Sequence, residues 1–245
     1  MHKTRLTSAC VAFGIFLLAV ISIAAQKPAS AVPSKAVQQS QKASELFNLA
    51  MAKADERIPK ALLENVVAVA VITDMKTAGL LIEGVGMGHG VVARRFSNGK
   101  WGAPAYIRMA AMSIGPKLGA NNFNIIMLFM NDRAADWLLD DKAVMFDRQK
   151  APVAGPVGEI RTEQKEVVPV ADIFSYVVDD SRLQSKDLKN LLKNFAISFD
   201  NDLNKSTYGA KASDILSDMY GKKVQRTPGD VLIFSETLDK FCKRD

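Results

Sequence analysis

Residues 84–90 read Gly-Val-Gly-Met-Gly-His-Gly, with a glycine at every second position. In an extended strand alternate residues share a face, so one face here carries no side chains over seven residues. Glycine weakens a strand interior and marks a bend or a close approach by another element. The run is not a dinucleotide-binding turn. That turn needs a further glycine where His89 or Val91 stands and a helix behind it, and Val91 to Phe96 reads as strand. The pattern argues against a phosphate cradle. It argues for a bare sheet face covered by backbone, helix or an apolar ligand.

Around this run the signals alternate between strand and turn. Val66 to Thr73 is a β-branched run suited to a buried strand. Ser97-Asn98-Gly99 has hairpin-turn chemistry, with Trp101 to Met109 as the returning strand and Pro104 suggesting an edge or bulge. Gly115 to Ala120 makes another turn. Asn124 to Met130 is a continuous apolar run and a central strand, after which Asn131 or Asp132 can cap a helix over Arg133 to Leu139. Lys142 to Asp147, Val170 to Val178 and Ala196 to Phe199 have strand character. Helical spacing appears at Ser44 to Ala54, at Pro59 to Asn65 and over Ser181 to Phe195. Two C-terminal helices follow, Ala212 to Met219 and Asp230 to Cys242. No linker or repeat interrupts the series.

The N-terminus reads as a targeting segment. Lys3 and Arg5 precede an uncharged apolar run from Val11 to Ala25, and small-residue cleavage sites follow at Ala25 and Ala31. A membrane span wants about 20 apolar residues, so the arithmetic favours a signal peptide over 1–31. The polar, Pro- and Ser-containing stretch 32–44 reads as a disordered leader. Losing Lys3, Arg5 and Lys27 lowers the net charge from +6 to +3, too mild a value to argue for nucleic acid. Cys242 is then the only cysteine, so the fold rests on its core and not on a disulfide.

Catalytic machinery is scarce. His89 is the sole histidine beyond the targeting segment, without a serine or cysteine nucleophile pattern beside it, and reads as structural. No Cys/His spacing fits a metal or another cofactor. Asp200 to Asn204 begins like a calcium loop, but Lys205 and Lys211 stand where its glycine and glutamate belong. Basic residues are more suggestive. Lys53, Arg57 and Lys60 flank the first helices, and Arg94 and Arg95 end the glycine-rich strand. A patch formed from them would suit anionic phospholipid. The competing site is Lys186, Lys189 and Lys193 on the amphipathic stretch.

Several motifs together resemble the SYLF-domain family. They are Ile58-Pro59 through Val71, Lys76 to Gly79, Gly88 to Arg94, Asn98 to Ile107, Ser113 to Ala120, Ile125 to Met130, Ala154 to Gly158, Ser175-Tyr176 and Tyr208-Gly209. The Lys-rich stretch around 186–193 stands where the family has a glycine-containing hairpin. The resemblance covers residues 45–242. It implies a non-enzymatic lipid-binding module, and some eukaryotic members bind actin. An exported chain is not expected to meet actin.

The sequence thus predicts one α+β domain: a twisted, mostly antiparallel sheet with N-terminal and C-terminal helices. The expected role is binding of anionic lipid at a membrane surface, in the periplasm or outside the cell, with no nucleic acid, metal or cofactor. The alternative is an envelope structural or protein-interaction module.

Overall fold

A long hairpin organises the chain. The computed structural model describes residues 34–80, 83–111, 122–140, 142–146, 150–158, 171–179, 182–185, 195–217 and 223–244. The expected signal peptide, the turn at Gly115 to Ala120 and the Lys186, Lys189 and Lys193 cluster lie outside these residues. Strand β1 (Ala68–Leu80) pairs antiparallel with β2 (Glu83–Arg94) along their whole length. β3 (Ala105–Ala111) joins β2, and β4 (Asn122–Phe129) joins the other side of β1. Beyond β3 lie β9 (Phe195–Phe199) and then β5 (Val144–Met145). Beyond β4 lies β7 (Ile173–Asp179), which carries β6 (Val153–Ala154) in parallel and β8 (Arg182–Gln184) antiparallel. Only the β6–β7 pair breaks the antiparallel order, so the sheet is the expected one.

The sheet is curled, and the glycines permit it. A Cβ on Gly90 would lie 2.2 Å from the Val71 carbonyl oxygen and 2.9 Å from the Ile72 Cα. On Gly88 it would meet Ile72 Cγ2 and Met75 Sδ, both at 2.8 Å. At Gly88 and Gly90 the bare face is therefore closed by the neighbouring strand itself. In β1 an extra residue sits between Thr73 and Lys76, and Asp74 there has φ of +54°. Such a bulge adds twist and re-aims the strand beyond it.

Helix α1 (Lys35–Ala50) corrects the expected disordered leader, whose described part is helical from Lys35. Ser34 caps it, its hydroxyl accepting from the Val37 N–H at 3.3 Å. Its buried stripe is Ala36, Gln39, Ser40, Ala43, Ser44, Phe47 and Ala50. These residues recur at helical spacing but are mostly small or polar, so hydropathy gave no signal. Small side chains let the helix sit close to the sheet. Ser40 Oγ lies 3.2 Å from the Tyr106 hydroxyl, and Ser44 Oγ lies 2.6 Å from Thr237 Oγ1.

α2 (Lys60–Asn65) begins after Pro59 as expected. α3 (Asp132–Asp136) is capped by Asn131, whose side chain accepts from the Ala134 N–H, and it runs on as a short 3-10 turn to Leu139. α4 (Asn201–Tyr208) occupies the stretch that began like a calcium loop. Asp200 caps it instead, accepting from the Leu203 N–H, and Gly209 ends it with φ of +71°. α5 (Ala212–Ile215) and α6 (Ile233–Phe241) are shorter than expected. Phe47 of α1 packs edge-on to Phe234 of α6 at 6.4 Å. Three further expectations are revised. β3 starts after Pro104 and lies inside the sheet, with only a single bridge at Trp101. The strand expected over 142–147 is two residues long. Arg182–Gln184, expected in a helix, turns back on β7 as a hairpin, because Leu183 is buried against the sheet.

Candidate functional site

Residues directly opposite one another on paired strands share a face. Tyr106 faces α1, so the residues two and four further along β3, Arg108 and Ala110, look the same way. Two cross-strand rows follow on this face. The first is Thr73, His89, Arg108 and Ser198. The second is Lys76, Met87, Ala110, Ala196 and Met145, which spans five strands or roughly 19 Å. Met87 is 69% exposed and Met145 53%, and Ala110 is exposed too. The result is an uncovered, mostly apolar row with a polar row behind it.

The polar row is held by Asp200. Its carboxylate accepts from Arg108 Nη2 at 2.7 Å and lies 3.6 Å from Lys35 Nζ at the start of α1. The Arg108 guanidinium holds the Asp200 carboxyl below the usual range, against the opposing effect of burial, and the Leu203 N–H helps. Partial burial, then Lys35, push the His89 imidazole below its ordinary value, while Asp200 pulls the other way. The Thr73 hydroxyl donates to the His89 carbonyl, not to its ring. Three basic side chains, Lys35, Lys76 and Arg108, thus lie in or beside the two rows, with Lys35 and Arg108 paired to Asp200 and with Asp74 and Asp202 nearby.

Most of the basic residues singled out from sequence are engaged by acids or carbonyls. Arg94 and Arg95 are consecutive and point to different sides. Arg94 Nη2 pairs with Asp136 at 3.1 Å and Asp132 at 3.5 Å. Arg95 is 5% exposed, stacks on Trp101 at 4.9 Å and donates to the carbonyls of Leu63, Glu64 and Cys242. It is a staple between the sheet and the ends of α2 and α6, so neither arginine offers an open cation. Lys53 pairs with Glu56 at 3.3 Å and Lys60 with Glu64 at 3.1 Å. Arg57 lies between them, where its carbonyl accepts from the Gly158 N–H. Across 51–65 the three bases are matched by Asp55, Glu56 and Glu64. Sequence reasoning missed the Met87 row because its members come from five strands. The one available signal was the alternation that sets Met87 and His89 opposite the glycines.

Other cavities are shallower in meaning. A groove of about 440 Å³ between α1 and the bulge is lined by Lys42, Leu46, Leu49 and Asp74, and its rim charges pair with each other at 2.6 Å. Among the described residues no cluster of metal-ligating side chains occurs, and no helix is long and apolar enough to cross a membrane.

Residues 110–240 match the Ysc84 family, described as Las17-binding protein actin regulator. The chain is 30% identical to Protein YSC84 of Saccharomyces cerevisiae over 105 residues, 43% of this chain and 22% of that protein. It is 26% identical to SH3 domain-containing YSC84-like protein 1 of Bos taurus over 122 residues, 50% of this chain and 35% of that one. LAS seventeen-binding protein 3 of Saccharomyces cerevisiae matches at 30% over 125 residues, 50% of this chain and 27% of that protein. The chain thus matches about a quarter to a third of the length of these relatives.

Proposed function

This chain belongs to the Ysc84 family of SYLF-domain proteins, and from that premise we propose that it is a non-enzymatic module of the cell envelope or exterior that binds anionic membrane surfaces. The observation that carries this reading is the uncovered row of the sheet, with Met87 and Met145 exposed and Lys35, Lys76 and Arg108 beside it. Withdrawing a methionine side chain from water is worth about 1.5–3 kcal/mol. A basic residue near an anionic surface adds about 1 kcal/mol. Two of the first, with the net positive charge that Lys35, Lys76 and Arg108 keep after pairing with Asp200, suffice for reversible association. The α1–α2 segment with Lys53, Arg57 and Lys60 is the weaker surface, because its acids cancel its bases. The competing Lys186, Lys189 and Lys193 cluster lies outside the described residues and carries no part of this proposal.

The targeting pattern over 1–31 supports export, so the actin regulation in the family's description is not part of this proposal. Among the described residues no serine or cysteine nucleophile is paired to the His89 ring, which supports a binding role over catalysis. The second reading is a protein-interaction module. It draws on the family's description as Las17-binding.

Flotation with phosphatidylglycerol and phosphatidylcholine vesicles at low and moderate salt separates the two. Binding is expected to the anionic vesicles only, to weaken with salt, and to be lost in Met87→Asp/Met145→Asp. Charge reversal at Lys53, Arg57 and Lys60 is expected to weaken it less. Equal binding to neutral vesicles, or indifference to the methionine pair, removes this surface. No flotation at all leaves the protein-interaction reading.

A further inference from the structure

The methionines of this chain are sorted by burial in a particular way. Among the described residues Met75, Met109 and Met127 are buried, and Met51 and Met130 are partly so. Met87 and Met145 stand apart at 69% and 53% exposed. They are 58 residues apart in sequence, yet they fall on one cross-strand row, separated only by Ala110 and Ala196. Alanine adds little bulk. The two thioethers therefore supply most of the apolar material that this row presents to its surroundings.

We propose that Met87 and Met145 form a paired oxidation site, through which a peroxide releases the protein from a membrane. The proposal rests on the lipid-docking reading of the same row. In each step a lone pair on the thioether sulfur takes one oxygen from hydrogen peroxide. The O–O bond breaks, the sulfur–oxygen bond of the sulfoxide forms, the sulfur is oxidised by two electrons, and the second oxygen leaves as water with both protons. The reaction needs access to the sulfur, which these two residues have and the buried methionines lack. A sulfoxide is polar, so each oxidation replaces a group that gains from leaving water by one that must be desolvated. The surrounding charges do not change, because Lys35, Lys76 and Arg108 do not react with peroxide. The same protein thus keeps its electrostatic attraction and loses its apolar contact. The packed core is untouched, so the change is one of affinity and not of folding.

The test uses the full chain as purified, limited hydrogen peroxide, mass mapping of methionine-containing peptides, and flotation on phosphatidylglycerol vesicles. Met87 and Met145 are expected to gain one oxygen well before Met75, Met109 and Met127. Flotation is expected to weaken by on the order of a hundredfold or more once both are sulfoxides, the scale set by losing the burial of both methionine side chains. In Met87→Leu/Met145→Leu the ratio of flotation before and after peroxide stays near one, whatever its starting level. Unchanged flotation of the doubly oxidised protein overturns the inference. So does oxidation of the buried methionines at the same rate, or an equal peroxide loss in the double leucine variant. An untreated protein that does not float sinks the lipid-docking reading and this inference with it, whereas one that floats and stays bound as the double sulfoxide sinks this inference alone.

Discussion

Substituting alanine at Gly90 pits two effects against each other. In a strand alanine is ordinarily favoured over glycine by about 0.5–1 kcal/mol, since glycine loses more freedom on folding. Against that stands the new Cβ, 2.2 Å from the Val71 carbonyl oxygen, 2.9 Å from the Ile72 Cα and 3.0 Å from the Val71 carbonyl carbon. All three are backbone atoms of the paired strand, so no rotamer change relieves the contact and β1 must shift. Overpacking costs about 1–3 kcal/mol where side chains can yield, and the upper end applies here. The net loss is about 2 kcal/mol or more, a fall in Tm of roughly 4–8 °C for a chain of this size. Gly88→Ala is the internal comparison. Its Cβ meets Ile72 Cγ2 and Met75 Sδ at 2.8 Å, both side-chain atoms, and Met75 can turn aside. Its loss is about 1 kcal/mol or less, since relief of part of the clash combines with the strand preference. Urea and thermal melts followed by circular dichroism give the ranking. If Gly90→Ala melts at or above the parent, or if Gly88→Ala is the worse of the two, the strands are not coiled against each other as described.

Other outcomes follow from named groups. Arg95→Leu strands the carbonyls of Leu63, Glu64 and Cys242 and should cost about 3 kcal/mol, with faster amide exchange in α2; unchanged protection there would deny the staple. Asp200 has a lowered pKa, so its contribution is present above the ordinary carboxylate range and is lost as pH falls through the lowered value. Asp200→Asn should therefore flatten the acid limb of a stability–pH curve below about pH 4, and a parallel, merely displaced curve would contradict this. Burial pushes the Cys242 thiol up to about 12, so native protein at pH 8 should react with iodoacetamide at least ~100-fold more slowly than unfolded protein; equal rates would place the thiol in the open.

The order of strand signals, the hairpin turn at Gly99 and the Asn131 cap were all readable locally, because turn and cap chemistry depend on a few adjacent residues. So was the need for a bare face at 84–90. What closes that face was not readable, because Val71 and Ile72 reach Gly90 only through strand pairing. The first half of helix α1, before Ser44, escaped because its buried residues are small and polar, and its value lies in close approach to Tyr106, not in hydropathy. The pairing of the basic candidates was hidden for a related reason. Charge is visible in sequence, but neutralisation is decided by partners such as Asp132 and Asp136 for Arg94. The Met87 row is the clearest case. Sequence fixes which way each residue alternates within its own strand. Register across β1, β2, β3, β9 and β5 decides that Met87 and Met145 share one exposed line, and register is a property of the folded sheet alone.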